Sequence, residues 1–320
     1  MNLIWAVILL AGGLLILWKC AELLVAGAVA LAERLGVSSL VIGLTVVAMG
    51  TSAPEVAASI AAALRGAGDV AIGNVYGSNV ANLALVGGLA ALIRPISIKK
   101  LTLRREIPVM LAVALLLWPV LHNLSLSRPE GTVLLAVFAA LILLMVYIAR
   151  KDAAVQKNSK KMDSRLRGND IRDTRYTIRN TKRSLLFIVT GLAGLAFGAE
   201  ATVRGAVEIG REWFGLSDAV IGLTIIAIGT SLPELATCVA AAVKGQHDIS
   251  IGNLVGSNIF NTLLVTGTAG TISPFAIGQR LIGTDYWIMI VVSAAFTLVV
   301  IVGRRVIGRA AGIVLLCAYA

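Results

Sequence analysis

The sequence predicts an all-α polytopic membrane protein: about ten transmembrane helices arranged as two inverted five-helix repeats, with helices 2 and 7 broken. Three observations carry this. Hydrophobic residues make up 58% of the 320 and charged residues only 14%, too apolar for an ordinary water-soluble domain. Mean hydropathy is +0.90, and the apolar residues gather in runs near the ~20 that a helix needs to cross a bilayer. Finally, residues 43–82 recur as 222–261 with 22 of 40 positions identical and no gap. The matches include Thr, Ser, Pro, Glu, Asp and Asn, which chance similarity between apolar segments does not supply.

The expected spans are 3–32, 39–64, 70–93, 103–122, 131–149, 184–208, 219–243, 249–272, 285–303 and 306–320. Helix 1 starts as MNLIWAV without a basic leader region, so it reads as a span and not as a cleaved signal. Lys19 and Glu22, three apart on it, are placed to pair. Asp69 and Asp248 open helices 3 and 8, where a carboxylate caps free N–H groups. Helices 1–5 form a first unit, residues 1–149, and helices 6–10 a second, 184–320. Glu200 in helix 6 reads as a structural ion-pair residue. The last run is about fifteen residues, which suits a helix lying partly in the interface or one continuing beyond Ala320. Cys20, Cys238 and Cys317 show no paired or metal-like spacing and read as inert packing residues.

Between the units, residues 150–183 hold twelve Lys/Arg against four Asp. With Tyr176 as its one aromatic residue, the stretch reads as a disordered linker and not as a nucleic-acid module. If it is cytoplasmic, alternation of the spans puts 22 of the 28 Lys/Arg on the inside. That bias predicts an inner (plasma) membrane protein with its N-terminus outside. The two repeat segments start at helices 2 and 7, an odd number of crossings apart, so they run in opposite directions. Inverted repeats of this kind are typical of secondary transporters, whose site lies near the midplane where the repeats meet.

GTSAPE (50–55) and GTSLPE (229–234) place the same breaker beside the same acid. Pro54 and Pro233 have no N–H for the carbonyls of Gly50 and Gly229, so each helix breaks there. Freed carbonyls are tolerated at membrane depth only where they line a cavity or meet a ligand. Glu55 and Glu234 lie about 22 Å into their helices at 1.5 Å per residue, still within the ~30 Å apolar core. An acid at that depth costs about 2.5–3.5 kcal/mol, which marks both as functional. Thr51, Ser52, Thr230 and Ser231 add hydroxyl oxygens. The helices that follow carry Gly73-xxx-Gly77 and Gly252-xxx-Gly256, small-residue ridges for close helix contact. Ser78 with Asn82, and Ser257 with Asn261, share a face at i, i+4 spacing. No His or Cys joins the set, so it offers oxygen alone, the chemistry of hard cations such as Ca²⁺ and Na⁺. No cofactor is expected.

The paired G-T-S-x-P-E and G-S-N-x-x-N segments resemble the alpha repeats of the cation/Ca²⁺ antiporter superfamily, specifically its prokaryotic Na⁺/Ca²⁺ exchanger-like branch. The resemblance implies alternating access, with helices 1 and 6 sliding past a fixed core. It implies Glu55 and Glu234 as central acidic ligands. Thr51, Ser52, Thr230, Ser231, Ser78 and Ser257, with the carbonyls of Ala48 and Ala227, would complete the Na⁺ and Ca²⁺ positions. Some relatives carry Asp where this chain has Asn82 or Asn261, which leaves two acids here where those have three. Close carboxylates titrate as a pair, so Ca²⁺/H⁺ exchange is the alternative to Na⁺/Ca²⁺ exchange, alongside a K⁺-dependent antiporter. A channel would offer a ring of equivalent ligands around a continuous pore; a channel and a non-transporting cation sensor both fit the repeats less well.

Overall fold

The computed structural model describes residues 3–163, 181–216, 221, 225 and 227–319. Half of the basic linker (164–180) and much of the start of the second repeat segment (222–224 and 226) lie outside the described residues, as does Ala320. The chain is an all-α polytopic membrane protein, because in lipid only intrahelical pairing satisfies every backbone group of an isolated segment.

Besides a one-turn helix Lys100–Arg104, the helices are α1 (Leu3–Leu35), α2a (Ser39–Thr51), α2b (Ala53–Leu64), α3 (Gly68–Ile93), α4 (Glu106–Leu121), α5 (Arg128–Asp163), α6 (Thr181–Glu212), α7a (Ala227–Thr230), α7b (Leu232–Val243), α8 (His247–Ile272), α9 (Leu281–Val302) and α10 (Arg309–Tyr319). Among the described residues six helices are long and apolar enough to cross a membrane, or seven when α2a and α2b are taken as one bent span. The remaining expected spans appear as the shorter α4, α7b and α10.

The expected break in helix 2 falls at Ser52, where the axis bends by 45°. Ser52 (φ −82°, ψ 8°) and Ser231 (φ −89°, ψ 4°) sit in the sparsely used bridge region between two helical stretches. Pro54 and Pro233 then occupy the first turn of α2b and α7b, where a missing N–H does no harm. Both half-helices end at a glycine in the left-handed region, Gly66 (φ +71°) and Gly245 (φ +73°), a conformation that other residues enter only at a cost.

Four two-residue strands link the helix ends. β1 (Ile96–Ser97) pairs with β4 (Val306–Ile307), and β2 (Ser125–Leu126) pairs with β3 (Phe275–Ala276), both antiparallel. Each pair gains one more bond, Ile98 N–H to the Arg305 carbonyl at 2.8 Å and Ile277 N–H to the Leu124 carbonyl at 2.9 Å. Leu124 (φ +62°) and Arg305 (φ +70°) are non-glycine residues held left-handed at these two corners.

Helix α8 is the centre of the molecule, with 94% of its most apolar window buried, while α5 has 11% buried and faces outward. Gly252 and Gly256 explain how α8 sits so deep. A methyl group added at Gly252 would lie 2.8 Å from the Leu40 carbonyl oxygen, and one at Gly256 would lie 2.7 Å from that of Leu44, so α8 lies directly on the α2a backbone. At Gly73 such a methyl meets only Leu281, 4.0 Å away, among the described residues. Helix α1 lies along α6 at similar range, since a methyl added at Gly13 or Gly205 would come within 2.6 Å of the opposing helix.

Helix α5 continues to Asp163, into the stretch expected as linker, through Ala, Gln and Lys residues of good helix propensity. One expectation needs correction. Asp69 and Asp248 are not the caps of α3 and α8, whose N-cap positions are Ala67 and Gln246; both acids stand in the first turn. Asp69 Oδ1 instead accepts from the Gly278 N–H at 2.6 Å, and Asp248 Oδ2 pairs with Lys99 Nζ at 2.5 Å. Each acid thus ties its helix to a loop of the other half.

Candidate cation site at the helix breaks

The two breaks converge. Ser52 Oγ donates to Glu234 Oε1 at 3.0 Å, and Thr51 Oγ1 donates to Asn253 Oδ1 at 3.0 Å, so α2 is bonded at its break to both α7b and α8. The bend at Ser52 makes this possible by turning consecutive hydroxyls toward two different helices. Thr51 Oγ1 also lies 3.3 Å from the Ala48 carbonyl oxygen, which accepts the Ser52 N–H at 3.0 Å.

Glu55, Glu234, Asn82, Asn261 and Ser257 have no exposed surface; Thr51, Ser52, Ser231 and Ser78 are buried as well. Thr230 is half-buried. Ala227 lies in the α7a backbone, and its side chain is outside the described residues. Many of these groups have unsatisfied oxygens. Both carboxylate oxygens of Glu55, Glu234 Oε2, Ser231 Oγ, Ser257 Oγ and both amide atoms of Asn82 and Asn261 have no hydrogen-bond partner among the described residues. Native interiors rarely tolerate one such group, since each costs about 1–3 kcal/mol and more when charged. Their recurrence on the two repeat motifs, with two acids among them, is the donor chemistry that a hard cation would satisfy. No cluster of three His, Cys, Asp or Glu occurs among the described residues, so the donors beyond the two glutamates are neutral oxygens, suited to hard ions.

Local backbone geometry helps to aim these groups. Asn82 and Asn261 sit in π-helical turns, Ala81–Val86 and Asn261–Val265, a widened geometry frequent at functional sites. Sequence reasoning gave no sign of these turns. It also missed Asn74 and Asn253. Asn74 Nδ2 donates to Ser59 Oγ at 2.9 Å and to the Glu55 carbonyl at 3.2 Å, while Asn253 Nδ2 donates to Cys238 Sγ at 3.4 Å. The signal was present: Asn74, Ser78 and Asn82 repeat every four residues, as do Asn253, Ser257 and Asn261. Cys238, expected only to pack, accepts the bond that Ser59 accepts in the other half. Lys19 and Glu22 pair at 3.4 Å and Glu200 pairs with Arg204 at 2.6 Å, ion pairs as expected.

The family model described as sodium/calcium exchanger protein matches residues 5–147 and 183–320. A candidate antiporter of Alkalimonas amylolytica, CaxA, is 40% identical over 324 residues, covering 99% of this chain and 97% of that one. The sodium/calcium exchanger MaX1 of Methanosarcina acetivorans is 32% identical over 345 residues, covering 96% and 94%. Among solved structures, the sodium-calcium exchanger NCX_Mj soaked with 10 mM Na⁺ and 10 mM Sr²⁺ superposes with a TM-score of 0.80 at 30% identity, covering 99% of this chain and 97% of that one.

Proposed function

This chain belongs to the sodium/calcium exchanger family, and from that membership we propose that it exchanges Ca²⁺ for Na⁺ by alternating access at the oxygen-lined site between its helix breaks. As a member it is a multi-pass membrane cation/Ca²⁺ antiporter, a transporter and not an enzyme. The observation that carries the finer reading is the set of buried, partnerless oxygens on the two repeat motifs, those of Glu55 and Glu234 included. Two ionised glutamates balance one Ca²⁺, whereas three Na⁺ would leave the same pair at net +1. Mutual exclusion of the two loads thus has an electrostatic basis. Thr51, Ser52, Thr230, Ser231, Ser78, Ser257, Asn82 and Asn261, with the carbonyls of Ala48 and Ala227, are the proposed neutral ligands.

The ten-span, inverted arrangement is part of the proposal, with units 1–149 and 184–320 about the linker. The strand pairs support it. β1 and β2 flank α4, so if α4 crosses the bilayer the β1–β4 and β2–β3 pairs lie at opposite faces. β1 and β3 occupy equivalent repeat positions, and equivalent positions at opposite faces are what inversion requires. Lysine and arginine distribution supports an external N-terminus in an inner membrane. The closely apposed α1 and α6 are the proposed moving pair.

Ca²⁺ uptake into vesicles holding the purified chain tests the proposal, with an outward Na⁺ gradient, a pH gradient or neither. Uptake driven by Na⁺ is expected. Uptake indifferent to Na⁺ but driven by protons would replace Na⁺ with H⁺ as the coupling ion, and a gradient-independent leak would indicate a channel.

A further inference from the structure

Away from the central site, α2a, α4 and α5 enclose a cavity of about 220 Å³. Leu44 of α2a and Leu144 and Ile148 of α5 form apolar wall, while Lys99, Thr102 and Arg105 line the end nearest the helix termini, with Glu106 beside them. Three features point to an occupant. Thr102 is fully buried, yet its hydroxyl has no hydrogen-bond partner among the described residues, an arrangement that a ligand oxygen would relieve. The cavity lining carries two basic side chains, Lys99 and Arg105, against the one acid Glu106. Lys99 pairs with Asp248, but its side chain is 64% exposed, and an ammonium has three donors. Lastly, Leu141 and Ala149 both line the cavity, which spans about 12 Å along α5 at 1.5 Å per residue. That is a path from the membrane surface into its acyl region, along a helix that faces lipid.

We propose that this cavity holds one anionic phospholipid, its phosphate at Thr102, Arg105 and Lys99 and an acyl chain along Leu144 and Ile148. Basic pockets between membrane helices recognise anionic head groups in this way. Leu44 connects the lipid to the transport core, since it lines the cavity and its carbonyl lies against Gly256 of α8. A bound lipid therefore braces α2a, the first half of a broken helix, against α8.

Native mass spectrometry of the full chain, after incubation with phosphatidylglycerol or phosphatidylcholine of matched chain length, reads the occupancy. Phosphatidylglycerol is expected to be retained about fivefold or more over phosphatidylcholine, and Arg105→Gln to cut that retention by about fivefold, the effect of one cation near a membrane surface. Leu144→Trp, which fills the wall without touching charge, and Thr102→Val, which removes one hydroxyl, are expected to lower retention too. Equal retention of the two lipids, unchanged retention in all three variants, or displacement of the lipid by millimolar inorganic phosphate would overturn the proposal.

Discussion

The hydroxyl of Ser52 lies 3.0 Å from Glu234 Oε1, and the two residues stand 182 positions apart in the chain. Both are buried. A carboxylate of one half is therefore held by a hydroxyl of the other, so the candidate site draws on both repeat motifs.

Replacing Ser52 with Ala removes that bond. Hydrogen bonds to charged groups contribute about 1.5–3 kcal/mol, so apparent Ca²⁺ affinity is expected to fall about tenfold to a hundredfold. The Ca²⁺ dependence of Na⁺-driven uptake measures it, and an unchanged affinity would remove Ser52 from the site.

Glu55→Gln and Glu234→Gln keep shape but remove charge. Each is expected to abolish exchange while the protein still elutes as a single folded species in detergent. Wild-type uptake by either variant would exclude that glutamate as a ligand.

Asn253 and Cys238 give a paired test. Asn253→Ala leaves Thr51 Oγ1 without its 3.0 Å acceptor, so uptake is expected to drop severalfold. Cys238→Ser only copies the Ser59 arrangement of the other half, and near-normal uptake is expected. If the serine variant is as impaired as the alanine one, the thiol has a role beyond accepting the amide.

Close packing of α8 on α2a predicts a steric effect on stability. Gly256→Val places bulk against the Ala48 Cβ and the Leu44 carbonyl, each 2.7 Å from a methyl added there. A loss of about 1–3 kcal/mol or more is expected, read as a lower thermal unfolding midpoint in detergent. Gly12→Ala, where an added methyl meets nothing within 4 Å, is expected to leave the midpoint unchanged.

Much of this was legible in the sequence because apolar run length and the repeat are strong signals. Prolines beside acids located the breaks to within two residues, and the duplicated motif singled out Glu55 and Glu234, both fully buried. What pattern cannot supply is side-chain destination. Asp69 and Asp248 look like caps in one dimension, and only the fold brings Gly278 and Lys99 to them. The π-helical turns at Asn82 and Asn261 leave no compositional trace, since the same residues would suit an ordinary helix. Asn74 and Asn253 were visible as an every-fourth-residue stripe, but their partners Ser59 and Cys238 differ between the halves and so masked a common role.

The crossed strand pairs carry one more consequence. β1 grips β4 and β2 grips β3, so each half clasps the other directly and the peptide bridge between them is not what keeps them together. A chain severed within 164–180 and produced as two fragments is expected to reassemble, with one tagged fragment retrieving its untagged companion through detergent extraction. The two halves would then behave as separate subunits of a heterodimer, a quaternary structure folded into one polypeptide.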